Sequence, residues 1–178
     1  MSASIWSDTL AEFRDKVRGT DPVPAGVSIL AVTASLALAL IAKVLRIKHA
    51  EQTLLDAVEQ ESTQLAELAD RDVGAFERYL ECVRSKHPKD EAMREAIRVP
   101  MDAVRSALRG MELCRQAAPL FSTGLTAADL SVAASLLRSS AQAMLLSVEA
   151  NLSHLTEDDP FRKETVAALP ELKNSTAL

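Results

Sequence analysis

The sequence predicts an all-α protein, a bundle of long antiparallel helices with a buried, Ala-rich helix at its centre. Three observations carry that prediction. Gly and Pro are scarce, five and seven in 178 residues, and they fall mainly between segments whose apolar residues recur every three or four positions, the repeat of one helix face. Hydrophobic residues make up 48% of the chain but aromatics only 3%, so Leu, Ala, Val and Ile fill the interior, and these side chains suit closely packed helices. No run of alternating β-branched residues offers a strand. At 178 residues the chain has the size of one domain, which can bury roughly two-thirds of its unfolded surface without disulfides or metal. We read residues 1–157 as that helical domain and 158–178 as a polar C-terminal tail.

Ser4 or Ser7 caps a first helix whose apolar stripe is Ile5, Trp6, Leu10, Phe13 and Val17, and Gly19 ends it. The rigid turn TDPVP leads into AGVSILAVTASLALALIAKVLRIK, which is uncharged from Ala25 to Ala42. That length, about 18 residues, is where a membrane span becomes a candidate. Its alanines, serines and threonine make a weak insertion signal, and a helix apolar all round is equally what neighbouring helices enclose. We read it as a core helix and expect no membrane.

From His49 to Lys86 the apolar positions Leu54, Leu55, Val58, Leu65, Leu68, Val73, Phe76, Leu80 and Val83 describe one long helix or two abutting ones. Gly74 is a weak point, costing roughly 1 kcal/mol against Ala in a helix interior. Pro88 suits the first turn of the next helix, where its missing N–H is not needed. Pro100 then predicts a kink or a break, since it removes a hydrogen bond and pushes Val99 from helical angles. Thr126, with Asp129 three positions on, makes a capping-box-like start to a last long helix. Beyond Asp158 we expect a short helix that frays.

The formal charge of −5 argues against a nucleic-acid surface, which relies on concentrated Lys and Arg. Cys82 and Cys114 form neither a metal-type pair nor a disulfide framework, which is compatible with a reducing cytoplasm, and both are expected to be small buried hydrophobes. No signal peptide is readable. His49, His87 and His154 are scattered, and no metal-ligand spacing, nucleophile elbow or phosphate loop is present. Residue patterns alone reach a helical bundle and stop.

The order of landmarks goes further. PVPAGVS, the Ala-rich helix, ADRDVGAFERYL, the Val-Pro of IRVPMDAVRSAL, TAADLSVAASLL and the Asn-Leu of VEANL together resemble the formiminotetrahydrofolate cyclodeaminase and methenyltetrahydrofolate cyclohydrolase family, over roughly Ile5 to Leu155. The resemblance implies an all-helical homodimer with a small-molecule substrate, a tetrahydrofolate derivative among the candidates, and no required cofactor. It places a folate site near a glycine loop and a Ser-Asp segment. On this chain those positions are Gly26 and Ser28 of the loop, Asp72 of the acidic segment, Thr123 where the family has Gly-Asn, and Asp129. The departures are substantial. The triple glycine is Ala25-Gly26-Val27, Ser122-Thr123 replaces Gly-Asn, and the chain runs through Arg46-Ile47-Lys48-His49 without the family's lysine-bearing loop. Ordinary folate turnover is therefore expected to be weak or absent, and a repurposed cyclase or C–N lyase fits the altered motifs.

Both family reactions pass through a tetrahedral carbon bearing nitrogens and need positioned proton donors and acceptors. Asp129, with Lys48 or His49 reaching from another helix, is the most plausible catalytic combination; Gly26, Ser28, Asp72 and Thr123 are the binding candidates. Four of them have a plain structural alternative. Asp129 stabilises a helix start by about 0.3–1 kcal/mol whether or not a ligand binds. Asp72 fits a solvated face paired with Arg71 or Arg78, and Ser28 a cap or packing role. His49 fits the surface, though it is the nearest group titrating near neutrality. Ser131, Ser135 and Ser139 read as a small face for close helix packing. Lys86, Lys89, Arg94 and Arg98 fit either an anionic substrate tail or, for Lys89 and Arg94, pairing with Asp90 and Glu91. A catalytically inactive helical scaffold is the competing class.

Overall fold

The computed structural model describes residues 4–121 and 123–177. Within them lie α1 (Leu10–Val17), α2 (Gly26–Ile47), α3 (Gln52–Ser85), α4 (Asp90–Ala117), α5 (Leu125–Leu152) and α6 (Pro160–Ala177), with short 3-10 turns at Ile5–Ser7 and Ala118–Leu120 and no strand. Helix α2 packs on α3 and α5, and α4 packs on the same two. The four long helices thus close an up-down-up-down ring with α6 outside, against α4 and α5. Leu38, Ile41 and Leu45 of α2, Leu65 of α3, Ile97 of α4 and Leu137 of α5 are fully buried along its axis. Gly110 lets the helices approach: a Cβ there would stand 2.9 Å from Leu38 Cδ2.

The all-α bundle and its Ala-rich buried helix are as the sequence predicts. Helix α2 is long and apolar enough to cross a membrane by length and composition, yet 56% of its most apolar stretch is buried against protein. It is not enclosed on every side, for Leu36 and Ile47 remain exposed.

Several helix ends differ from expectation. Ser4 caps only the 3-10 turn, and α1 begins separately at a capping box in which Thr9 and Glu12 satisfy each other's backbone. Ser4 Oγ and the Ile5 N–H are drawn instead to Asp70 on α3, at 2.6 and 2.8 Å. The α2–α3 connection is a tight turn rather than a continuous helix: Ala50 N–H reaches back to Leu45 O and His49 N–H to Arg46 O, the paired bonds of a Schellman motif. Helix α3 is single and runs past Gly74. Gly124, at φ +84, is the cap of α5; it lets the helix start at Leu125, which leaves Thr126 inside the first turn with no box to Asp129.

Pro100 causes no break, and α4 runs from Asp90 to Ala117 through it. Proline leaves the carbonyl four residues back without its donor, and Asn151 Nδ2 from α5 donates to that carbonyl, Ala96 O, at 3.2 Å.

The segment read as a fraying tail is an 18-residue helix docked on the bundle. Asp159 caps it by accepting from the N–H groups of Phe161 and Arg162, while its other oxygen takes two hydrogen bonds from Arg94. Arg98 lies over the Phe161 ring, 5.3 Å from its centroid, and Thr165, Leu169 and Thr176 are buried. Arg94 and Arg98 therefore hold a helix of their own chain, not an anionic substrate tail.

Candidate functional site

Helix α2 carries candidate groups at both ends. At its start the capping residue Ala25 offers no side-chain hydrogen bond, so the first N–H groups need other partners. Asp72 of α3 supplies one: its carboxyl accepts from the Ser28 hydroxyl at 2.7 Å and from the Ser28 backbone N–H. Ser28 is fully buried and Asp72 nearly so. Burial pushes the Asp72 carboxyl above its ordinary value, and the Ser28 bonds oppose the shift without cancelling it. Above this pair Gly26 is exposed, and nothing lies within 4 Å of where a Cβ would stand.

The far end is built differently. Lys43 of α2 meets Asp129 in the first turns of α5 at 4.0 Å, both partly in solvent. One turn on, Lys48 and His49 border a cleft of about 700 Å³ whose polar side adds Glu51 and Gln116 and whose apolar side is Leu54, Leu113 and Phe121. His49 occupies the left-handed position of the Schellman turn at φ +52, where glycine is usual and any other residue costs roughly 1–2 kcal/mol. Its imidazole is exposed, as is the side chain of Lys48. The cleft can seat a small ring against its apolar wall and offer it a cation and a titratable nitrogen.

The formiminotransferase-cyclodeaminase family model matches residues 9–170. The chain belongs to this family. It is also similar to the crystal structure of formiminotetrahydrofolate cyclodeaminase from Thermotoga maritima, with a TM-score of 0.86 and 26% identity over 97% of this chain and 92% of that one. Comparison with curated proteins returns no match.

Within this cyclodeaminase-like fold, the predicted site residues form separate groups. Ser28 and Asp72 meet; Asp72 is neither solvated nor paired with Arg71, which binds Glu95. The ion-pair partner of Asp129 is Lys43, not Lys48 or His49. Thr123 is exposed in the loop before α5, and its neighbour Ser122 lies outside the described residues. Ser131 and Ser135 are exposed and bond their own helix, so they are no packing face within the chain. Cys114 is buried, its thiol pushed up by burial, but Cys82 is half-buried. Sequence reasoning missed Lys43, for which only its place on the charged end of α2 gave a signal, and Phe121, whose role depends on the α4–α5 turn. It also missed Glu61, a buried carboxylate held by Ser106 and Arg109 at 2.5 Å each. Among the described residues no cluster could hold a metal ion.

Proposed function

We propose that this chain is a divergent cyclodeaminase- or cyclohydrolase-like enzyme that forms or opens a C–N bond or ring in a small nitrogen-containing molecule, heterocyclic or acyclic. Its chemistry is repurposed from folate, in the manner of a cyclase or C–N lyase of specialised metabolism. The observation that carries the reading is the Lys48–His49 cleft, where exposed titratable groups border an apolar wall within a family fold retained over nearly the whole chain. His49 moves a proton to or from the reacting nitrogen, and Lys48 stabilises negative charge on the substrate. Asp129, oriented by Lys43, balances the positive charge of an amidine-like carbon. Gly26 and Thr123 provide open backbone and a hydroxyl for binding; Ser28 and Asp72 shape the loop from beneath. No cofactor takes part. The working form is a cytoplasmic homodimer that acts free of nucleic acid and membrane.

The altered glycine loop supports a substrate other than folate, because Ala25 and Val27 add side chains where relatives have bare backbone. Assay of methenyl- and formiminotetrahydrofolate should give turnover far below the usual enzymic range of roughly 1–10³ s⁻¹. A rate within that range would overturn the repurposing. A thermal-shift panel of folates and cyclic amines identifies the ligand class, since a ligand at a hundred times its dissociation constant adds about 2.7 kcal/mol. The second reading, an inactive helical scaffold, is favoured by one observation: Ser28 and Asp72 satisfy each other without any ligand.

A further inference from the structure

Beside the Lys48–His49 cleft lies a second cavity, of about 360 Å³, between the last turns of α4 and the first half of α5. Phe121, which is 5% exposed, is the one residue that lines both spaces, so the cavity is a neighbour of the cleft and not a part of it. It exists because both helices carry short side chains where they pass each other. Helix α5 brings Ala127, Ser131 and Ala134 to it, at steps of four and three that share a helix face, and α4 brings Cys114 and Ala118. Elsewhere on the same two helices the packing is tight: at Gly110 of α4 even a Cβ would stand 3.2 Å from Leu137 of α5. The apolar wall is completed by Met111 and Leu130, both buried. The uncharged polar groups in the wall are already engaged, for the Cys114 thiol donates to Leu130 O at 3.5 Å and the Ser131 hydroxyl to Ala127 O at 3.0 Å.

The charge on the lining has one sign. Arg115 from α4 and Arg138 from α5 line the cavity, and no carboxylate among the described residues does. Arg115 also meets Glu112 at 2.7 Å, with its own side chain 71% exposed. A surface pair of that kind contributes little, and a guanidinium has further N–H donors to offer a second anion. We propose that this cavity is a second binding site, which takes a small organic anion with an apolar body: the body lies against Met111, Phe121 and Leu130, and the acid group meets Arg115 and Arg138. The volume lies within the roughly 300–1,000 Å³ of small-molecule sites. Two guanidinium groups repel a cationic ligand, and they give a neutral one no charge to pair with. Because Phe121 is also a wall of the Lys48–His49 cleft, the occupant touches a residue that shapes the proposed catalytic space, while its binding depends on neither Lys48 nor His49.

The test uses the whole chain with Cys82→Ser, which leaves Cys114 as its one thiol. The probes are 2-naphthoate and its uncharged counterpart 2-naphthalenemethanol, titrated by calorimetry. Naphthoate should bind at about one per chain and at least about tenfold more tightly than the alcohol, the factor expected of a hydrogen bond to a charged group. Equal affinities, or no saturable binding, overturn the inference. Ser131→Trp fills the cavity from an exposed position, and Arg115→Gln with Arg138→Gln removes both cations. Each change should weaken naphthoate about tenfold or more with helical circular dichroism unchanged, whereas Lys48→Ala should leave its affinity as it was. Binding that survives the first two changes, or is lost with Lys48, puts the anion elsewhere and also overturns the inference. Since Cys114 borders the cavity, saturating naphthoate should slow its reaction with an aromatic disulfide reagent severalfold; binding with no such protection sinks the assignment. No arm reads turnover, so the outcome is independent of the enzymatic reading.

Discussion

At the start of α2 the polar groups face inward and complete the fold, whereas at its finish they face solvent and complete nothing. Ser28 and Asp72 are buried and bonded to each other; Lys43 and Asp129 touch at 4.0 Å in the open, and Lys48 and His49 border a cleft. Burial makes the first pair a matter of stability, because a desolvated polar group without its partner is costly. Exposure makes the second group nearly free to change as far as folding is concerned. The difference separates residues that carry the architecture from residues available for chemistry, although family resemblance assigns both sets to one site.

Substitutions can break that contrast, and the largest effect should come from the buried end. Ser28→Ala removes the hydroxyl donor from a buried carboxyl and should lower unfolding free energy by about 1–3 kcal/mol, read by urea denaturation; a loss within error would mean that Asp72 finds water instead. The same end should show in pH dependence. Because the native Asp72 carboxyl is raised, the folded chain holds a proton that the unfolded chain releases. Its stabilising contribution is complete below the ordinary carboxylate range and is lost as pH rises through the raised native value. Asp72→Asn should flatten that decline. Asp159 does the opposite: Arg94 holds its carboxyl low, so its contribution is present above the ordinary value and lost as pH falls through the native one. Arg94→Gln should therefore weaken the docking of α6 most clearly at neutral pH.

At the open end the effects on stability should be small or reversed. His49→Gly removes a side chain from a left-handed backbone position and should stabilise the fold by roughly 1 kcal/mol while abolishing turnover or ligand-induced thermal shift. Unchanged ligand response in this variant would remove His49 from the site. Asp129→Ala should cost less than about 1 kcal/mol, the range of exposed ion pairs, and Lys48→Ala less still. A multi-kcal loss from either would show that this end is structural too.

The fold was legible because its helices are long and their periodicity strong, and the Gly and Pro residues fall where ends are needed. What the sequence concealed depends on distant partners. Asp72 looks like one acid in an acidic stretch until a residue 44 positions away is found beside it. Helix α6 looks like a polar tail because its large apolar positions, Phe161, Val166, Leu169 and Leu172, are few; its attachment depends on Arg94 and Arg98, which read naturally as a surface cluster. The α5 cap was misplaced because Thr126 and Asp129 fit a local rule that Gly124 pre-empts. For the site, the family landmarks located the right segments but not their separation along α2, since order along a chain says nothing about which end of a bundle a segment occupies.

The Asn151 bond to Ala96 O has a consequence for inheritance. With proline at position 100 the Ala96 carbonyl lacks its usual helical donor and accepts from the asparagine amide instead, so losing Asn151 first removes that donor, and losing Pro100 first leaves the amide competing with a restored helix bond. Each residue gives the other its reason to stay. Chains descended from this one should keep or exchange the two together, and a double-mutant cycle over Pro100 and Asn151 should show non-additivity of about 0.5–3 kcal/mol.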